Sequence, residues 1–362
     1  MGVIRTFLAL SVLDGHYGFW PSSVWLHGYV AVCVFFIISG FYMNLVLDQK
    51  YSRDVGRFYA NRLTRLAPAY YIVLMLLVIG NQCGVLADVA GINNHLEPLQ
   101  YGAPYSTSDQ AIAWITNLTL FPASIAAPIG GFRYGTPWTE LALGQMYTVG
   151  LELLFYGIAP PLVRLRNRWF LLVLSAALAA HFLPCYFGLP SRPWQYEFFP
   201  TILVFFLLGM GAYRVHRRMP ELRGGFAALG WVAVPVMFAY CYTYRVPMTY
   251  DMTNSWQTWT LYTAFAIFLP LLFQASKSSR LDRFIGDLSY PIYVSQFLII
   301  AWVEHLKIDD MGARHWLAFA VIIMFSLAMV VLIEHPLQAA RGRLFGRQIR
   351  APEVLLLDRA VK

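Results

Sequence analysis

The stretch Tyr29-Val-Ala-Val-Cys-Val-Phe-Phe-Ile-Ile-Ser-Gly-Phe-Tyr-Met-Asn-Leu-Val-Leu47 has no charged side chain over nineteen residues. An α-helix of that length rises about 28 Å, which nearly spans the ~30 Å hydrocarbon core of a bilayer. Uninterrupted apolar stretches of this kind are typical of transmembrane helices. We therefore expect this segment to cross a membrane.

The rest of the chain has the same apolar character. It contains 58% hydrophobic and 13% charged residues over 362 positions, with a mean hydropathy of +0.54. That leaves too little polar surface for a soluble protein of this length. We predict an all-α polytopic membrane protein, one bundle of about ten transmembrane helices, at 3–20, 29–47, 66–87, 143–163, 169–187, 198–213, 226–244, 257–275, 284–303 and 315–333.

The distribution of basic residues predicts the topology. With a cytosolic N-terminus, 22 of the 27 Lys and Arg residues fall on the cytosolic side. The opposite side holds Arg133, Arg192, Arg245, Lys307 and Arg314. Cytosolic loops are enriched in Lys and Arg, so we expect a multi-pass protein of the inner (cytoplasmic) membrane with both termini in the cytosol. We therefore expect the basic residues behind the net charge of +8 to set the topology and to contact membrane lipids. We expect no nucleic-acid partner.

We expect one transmembrane domain over residues 1–335, followed by a basic cytosolic tail over 336–362. Residues 88–142 form the longest extramembrane stretch, with a Pro/Gly-rich run over 121–137. Irregular backbone at membrane depth is tolerated only beside protein or a water-filled cavity. We therefore expect this stretch to roof a cavity at the interface.

The four cysteines have no metal-ligand or framework spacing. We expect no metal. Three of them lie near the predicted outer ends of spans, so one disulfide among them stays open: Cys83, Cys185 and Cys241.

Two ionisable residues of the first span lie on nearly the same helical face. Arg5 and His16 are eleven residues apart, which on a helix brings them to nearly the same face about 16 Å apart along the axis. Ionisable side chains at membrane depth are costly, and they mark functional sites. An imidazole is suited to take a proton from a hydroxyl at neutral pH. The alternative is a histidine that only hydrogen-bonds a neighbouring helix.

Two further arginines stand one helical turn apart at the cytosolic entrance of the third span. Arg62 and Arg65, at positions i and i+3, lie on one helical face. Guanidinium groups bind phosphate oxygens in a bidentate manner, so these two together with Arg5 are candidates for a phosphate clamp. The alternative is that they are anchors that only set topology.

Glu152 lies about ten residues into an apolar span, where an unpaired carboxylate is expensive. We expect it to be a catalytic residue, an orienting or electrostatic partner of His16. The alternative is a structural hydrogen bond between two spans.

These residues lie in motifs that resemble those of the acyltransferase-3 family of integral membrane acyltransferases. The resemblance extends from Arg5 to Pro336. Its motifs are Arg5-x10-His16, Phe35-Phe-x-x-Ser39-Gly40-Phe41, Phe58 to Tyr70 around the two arginines, Glu152 before Phe155-Tyr156, Ser289-Tyr290-x-x-Tyr293, and Glu334-x-Pro336. The chain departs from the family at Leu153, where many members have a polar residue, and at Gln296, where histidine is common. We expect packing to account for Ser39 and Gly40.

The resemblance implies an O-acyltransferase that moves an acyl group, usually acetyl, from cytosolic acyl-CoA to a hydroxyl of a saccharide. His16 is then the general base, Arg5, Arg62 and Arg65 contact acetyl-CoA, and Glu152 assists. A base about 16 Å below a phosphate clamp suits the long pantetheine arm of this donor. Whether His16 carries the acyl group transiently stays open.

Several alternatives stay open at this stage. The acceptor is a cell-envelope polysaccharide, its lipid-linked precursor, or a small secreted metabolite, and the acyl group is acetyl or succinyl. A secondary transporter would use His16 and Glu152 as a proton relay and the arginines as an anion site. A non-catalytic membrane assembly factor is the third possibility.

Overall fold

The computed structural model describes residues 1–19, 26–52, 54–87, 96–99, 106–120, 141–221, 225–244 and 255–344. Within these ranges the chain forms helices and turns, with no β-strand. The Pro/Gly-rich run and residues 345–362 of the predicted tail lie outside the described residues.

The described residues form thirteen helices of eight or more residues, besides short helical turns at Glu97–Leu99, Gly144–Met146 and Ser191–Trp194. In chain order they are α1 Gly2–Tyr17, α2 Gly28–Gln49, α3 Val55–Gln82, α4 Thr107–Thr119, α5 Tyr147–Arg164, α6 Asn167–Tyr186, α7 Phe199–His216, α8 Gly225–Tyr244, α9 Trp256–Ser276, α10 Arg280–Asp287, α11 Ser289–His305, α12 Met311–Met329 and α13 His335–Leu344. A π-helical turn, Val330–Glu334, joins α12 to α13.

The all-α polytopic membrane fold is confirmed. A helix coincides with each of the ten predicted spans, and eight helical segments are long and apolar enough to cross a membrane. The other two predicted spans coincide with α1, which has 16 residues, and with α8. Helix α13 ends at Leu344, so the first nine residues of the predicted tail, 336–344, are helical.

The centre of the bundle is the pair α2 and α7, which cross at two glycines. A Cβ on Gly40 would lie 2.0 Å from the carbonyl oxygen of Phe206, and one on Gly209 would lie 1.8 Å from that of Ile37. Only hydrogen fits at such a distance, so both backbones require glycine there. This close approach confirms that the Ser39-Gly40 step serves packing at Gly40.

Helix α1 is fixed at both ends against α10 and α11. At its start, the Asp282 carboxylate of α10 accepts the backbone N–H groups of Gly2 at 2.7 Å and Val3 at 3.0 Å. At its other end, the Tyr17 hydroxyl donates to Glu304. Because helix N-terminal N–H groups have no partner within the helix, the carboxylate satisfies donors that would otherwise be unpaired. The anchoring places Arg5 and His16 at defined positions.

Apolar side chains also cover the outside of the bundle. Leu171 and Leu172 on α6 are each 58% exposed, as expected for a lipid-facing helix. The four cysteines are free thiols, so the disulfide left open by the sequence is not formed in this structure.

Candidate active site: two cavities on either side of one wall

The larger cavity encloses about 870 Å³ between α1, α2, α3, α5, α10, α11 and α13. We call it the donor cavity, after the acyl donor that the resemblance implies for its arginines. Five cationic side chains line it, against the two carboxylates of Glu152 and Asp287. The cations are Arg5, Lys50, Arg62, Arg65 and Arg283. Their excess makes the cavity attractive to anions.

Three guanidinium groups of the donor cavity have no carboxylate within ion-pair distance among the described residues. Arg5 donates to the Ser289 hydroxyl at 3.0 Å. Arg62 is buried beside the Phe58 ring, 5.7 Å from its centroid, and its Nε has no hydrogen-bond partner within the described ranges. Arg65 follows one turn later on α3. Positive charge that two carboxylates only partly balance is costly in a largely buried site, so this arrangement favours binding of an anion.

Lys50 extends the cationic end of the cavity at the C-cap of α2. Burial, together with the nearby Arg62 guanidinium, lowers the pKa of the Lys50 amine. Repulsion between these two cations is relieved when an anion binds between them. The charges at this end of the cavity therefore favour an anion over a cation.

Helix α2 supplies the apolar inner part of the donor cavity. Its lining residues extend from Val46 near the cationic end to Val32, a distance of about 21 Å along the helix axis. Phe35 and Phe36 line the inner end. The cavity therefore combines a cationic mouth with an apolar channel.

Glu152 lies in the donor cavity and is held by two hydroxyl groups. Ser39 of α2 donates to its Oε1 at 2.5 Å, and Tyr156, one turn along α5, donates to the same oxygen at 2.6 Å. These bonds offset part of the cost of a carboxylate at membrane depth. They also connect α2 to α5, as the structural alternative for Glu152 predicts.

His16 lies in a second, smaller cavity of about 50 Å³, which we call the outer cavity. Its polar lining residues are His16, His27, Gln145, Arg192 and three tyrosines, Tyr29, Tyr147 and Tyr293. The N-cap residue of α2, His27, accepts from the Tyr29 N–H at 3.4 Å. Burial, and secondarily the charge of Arg192, lowers the pKa of His27, so the ring is neutral at pH 7 and able to accept.

The His16 ring is oriented by α11. Its Nδ1 lies 3.2 Å from Gln296 Oε1, and the ring packs against Phe297 with centroids 4.8 Å apart. The Gln296 amide nitrogen donates to the Tyr293 carbonyl at 3.0 Å, which directs the amide oxygen toward His16. A neutral His16 then carries its proton on Nδ1, which makes Nε2 the unprotonated ring nitrogen.

The structure brings together four of the five predicted site residues. Arg5, Arg62, Arg65 and Glu152 line the donor cavity, and His16 lines the outer cavity. The hydrogen-bond partner of His16 Nδ1 is Gln296. The sequence predicted Glu152 as the residue that orients His16. Arg5 and His16, which lie on nearly the same face of α1, therefore line two different cavities.

Three residues at these cavities were not predicted as site residues. Lys50 and Arg283 were counted only as topology signals, although they end spans on the same side as Arg62. Gln296 was noted only as a departure from the family. Its position three residues after Tyr293, one helical turn further, was the available signal.

The fold and the cavities define a polytopic helical membrane protein with a cationic cavity beside a half-buried histidine. Residues 2–335 match the acyltransferase-3 family, whose description is an acyltransferase domain. The chain therefore belongs to this family, and it is an acyltransferase. The predicted family is confirmed over nearly the whole chain.

The relatives of the chain cover most of its length. It is 26% identical to Nodulation protein 10 of Rhizobium leguminosarum bv. viciae, over 96% of this chain and 95% of that protein. It is 23% identical to the exopolysaccharide production protein ExoZ of Rhizobium meliloti (strain 1021), over 87% and 91%. A shorter match, 31% identical over 21% of this chain and 12% of the other, is to YrhL of Bacillus subtilis (strain 168), whose name assigns it provisionally to the peptidoglycan O-acetyltransferases. No solved structure matches the chain.

Proposed function

We propose that this acyltransferase takes an acetyl group from acetyl-CoA in the donor cavity and transfers it to a hydroxyl of a saccharide. The acceptor is a cell-envelope polysaccharide or its lipid-linked precursor. The observation that carries the proposal is the set of three guanidinium groups, with no carboxylate at ion-pair distance among the described residues, around a cavity that continues as a mainly apolar channel along α2.

Coenzyme A has the chemistry that this cavity complements. Its diphosphate and 3′-phosphate need cations, and Arg5, Arg62 and Arg65 supply forked donors at the mouth. Its pantetheine arm is long and mostly neutral, and it follows the ~21 Å channel along α2. The thioester then reaches the inner end beside Tyr293. With both termini in the cytosol of the inner membrane, the mouth opens to the cytosolic donor.

The reaction needs one proton acceptor. The acceptor hydroxyl oxygen attacks the thioester carbonyl carbon while His16 Nε2 takes the hydroxyl proton. A C–O bond forms, the C–S bond breaks, and coenzyme A leaves as its thiolate. The proton passes from His16 to the thiolate, which regenerates neutral imidazole. Gln296 positions the ring for this transfer through the bond at Nδ1.

Two observations support a saccharide acceptor: the names of the relatives and the lining of the outer cavity. ExoZ is named for exopolysaccharide production, and the name of YrhL provisionally indicates peptidoglycan O-acetylation. The outer cavity offers imidazole, amide and phenol groups that suit a sugar hydroxyl. The transporter alternative has no comparable support, because the chain belongs to an acyltransferase family.

The test is coenzyme A binding by purified protein, measured by calorimetry, with thiol release from acetyl-CoA measured in parallel. We expect saturable binding that weakens roughly 10- to 100-fold in Arg62→Ala and in Arg65→Ala, since each removes a charged hydrogen-bond donor. The matched control is Arg57→Ala. Arg57 also lies on α3, but it is exposed and pairs with Asp54 at 2.9 Å. No binding by folded wild type, or equal loss in the control, contradicts the proposal.

A further inference from the structure

The donor cavity and the outer cavity share a wall. Val32 of α2 and Tyr293 of α11 line both of them. On either side of Tyr293, Gln145 lines the outer cavity and Thr148 lines the donor cavity. The wall therefore separates the end of the apolar channel from the chamber of His16.

The Tyr293 side chain is held in this wall at its tip. Its hydroxyl donates to the backbone carbonyl oxygen of Gln145 at 2.8 Å and lies 2.8 Å from Thr148 Oγ1. Thr148 Oγ1 lies 3.0 Å from the same carbonyl. The three groups are buried, and Tyr293 is 6% exposed. A ring fixed by hydrogen bonds to its tip is released when those few bonds break.

Among the described residues, one other side chain lines both cavities. This residue, Val32, is short and apolar. We therefore expect removal of the Tyr293 ring to open a path between the two cavities. Under the proposed reaction the thioester and His16 lie on opposite sides of this ring, so the ring must move for the acyl carbon to meet the acceptor.

We propose that the Tyr293 ring is a movable partition that keeps the two cavities apart at rest and admits the acyl group, but not the coenzyme A head group, to the His16 chamber. The nature of the passing group rests on the proposed function, whereas the partition itself does not. Tyr293 is then a specificity-determining residue, because the opening it leaves limits the length of the acyl chain.

The experiment measures access to the donor cavity from the side of the membrane on which His27 lies. A cysteine replaces Ser39, which lines the donor cavity, in a Cys33→Ala background because Cys33 lies on the same helix. Sealed vesicles of each orientation are treated with the membrane-impermeant 2-sulfonatoethyl methanethiosulfonate, and modification at position 39 is followed by mass spectrometry.

We expect modification from the side of Lys50 and Arg62 in every variant. From the side of His27 we expect at least tenfold faster modification in Tyr293→Ala than with the ring intact. The matched control is Tyr240→Ala, because Tyr240 is a partly buried tyrosine of α8 that lines neither cavity. Equal rates with and without the ring, whether both fast or both negligible, overturn the proposal.

A second variant keeps the test decisive if Tyr293→Ala does not accumulate. Thr148→Val preserves the ring and the side-chain volume but removes one hydrogen-bond partner of Tyr293. We expect it to raise the rate from the His27 side several-fold, and an unchanged rate contradicts the partition. The labelling experiment uses no acyl donor, so its result can be interpreted even if the proposed function is wrong.

An activity measurement then tests specificity. We expect the ratio of kcat/KM for butyryl-CoA to that for acetyl-CoA to rise about tenfold in Tyr293→Ala, in the size range of pocket discrimination between short chains. An unchanged ratio in a variant that opens the path overturns the role in chain length but not the partition.

Discussion

At the scale of single residues, His16 carries the proton transfer in the proposed reaction. His16→Ala should lower kcat by about 10²- to 10⁴-fold, the usual effect of a positioned general base. Membrane abundance and coenzyme A affinity should stay unchanged, since His16 lies outside the donor cavity. The control is His305→Ala, an exposed histidine at the end of α11. Unchanged turnover in His16→Ala removes His16 from the mechanism.

Gln296 is a positioning residue, and its effect should separate kcat from KM. Gln296→Leu removes the acceptor at His16 Nδ1, so the ring loses both its orientation and its fixed tautomer. We expect kcat to fall about tenfold or more while the KM for acetyl-CoA is unchanged. Gln296→Glu keeps an acceptor oxygen at the same place and should restore part of the rate. A rise in KM with constant kcat would instead indicate a role in donor binding.

Arginine and lysine should not be equivalent at the cavity mouth. Arg65→Ala should raise the KM for acetyl-CoA, and Arg65→Lys should recover only part of the loss, because an ammonium cannot form the bidentate fork. Steady-state kinetics over a range of donor concentrations give the result. Full rescue by lysine would show that only the charge matters.

At the scale of the elements, the crossing of α2 and α7 decides whether the bundle assembles. Gly40→Ala places a Cβ 2.0 Å from the Phe206 carbonyl oxygen, and two backbones must separate to make room. We expect a loss of roughly 1–3 kcal/mol of stability, seen as a lower thermal unfolding midpoint in detergent. Gly157→Ala on α5 is the control, since a Cβ there has nothing within 4 Å. Equal midpoints for the two variants would contradict the close approach.

The sequence predicted the helices well and the partners of the site less well. The arginine pair on α3 and the Ser-Gly step on α2 follow from spacing along one helix, which is a local property. The partner of His16 is not local, because Gln296 lies 280 positions away and reaches it only through the packing of α1 on α11. The eleven-residue spacing of Arg5 and His16 on one helix likewise could not show that these two residues line different cavities.

At the scale of the whole molecule, the class could be predicted because hydropathy and charge are additive along the chain. The two cavities could not be predicted, since each is formed by helices distant in sequence. The wall between them includes Tyr293 of α11, whose hydroxyl donates to the Gln145 backbone carbonyl just before α5 begins. No pattern along one segment encodes that contact.

Topology is a property of the whole chain. The 22-to-5 distribution of Lys and Arg residues predicts that a reporter fused after Lys362 is cytosolic and that one placed within 88–110 is external. Alkaline phosphatase and green fluorescent protein fusions report the two sides. If both positions lie on the same side, the number of spans differs from ten, and the cationic mouth loses its access to cytosolic acetyl-CoA.

The central claim is that the molecule moves acetyl groups to an envelope saccharide. Acetyl-proton NMR of envelope glycans tests it most directly, in cells without the gene and in the same cells complemented with wild type or with His16→Ala at equal membrane abundance. We predict an O-acetyl signal with wild type that is absent without the gene and strongly reduced with His16→Ala. Identical O-acetyl content in all three strains would contradict the claim.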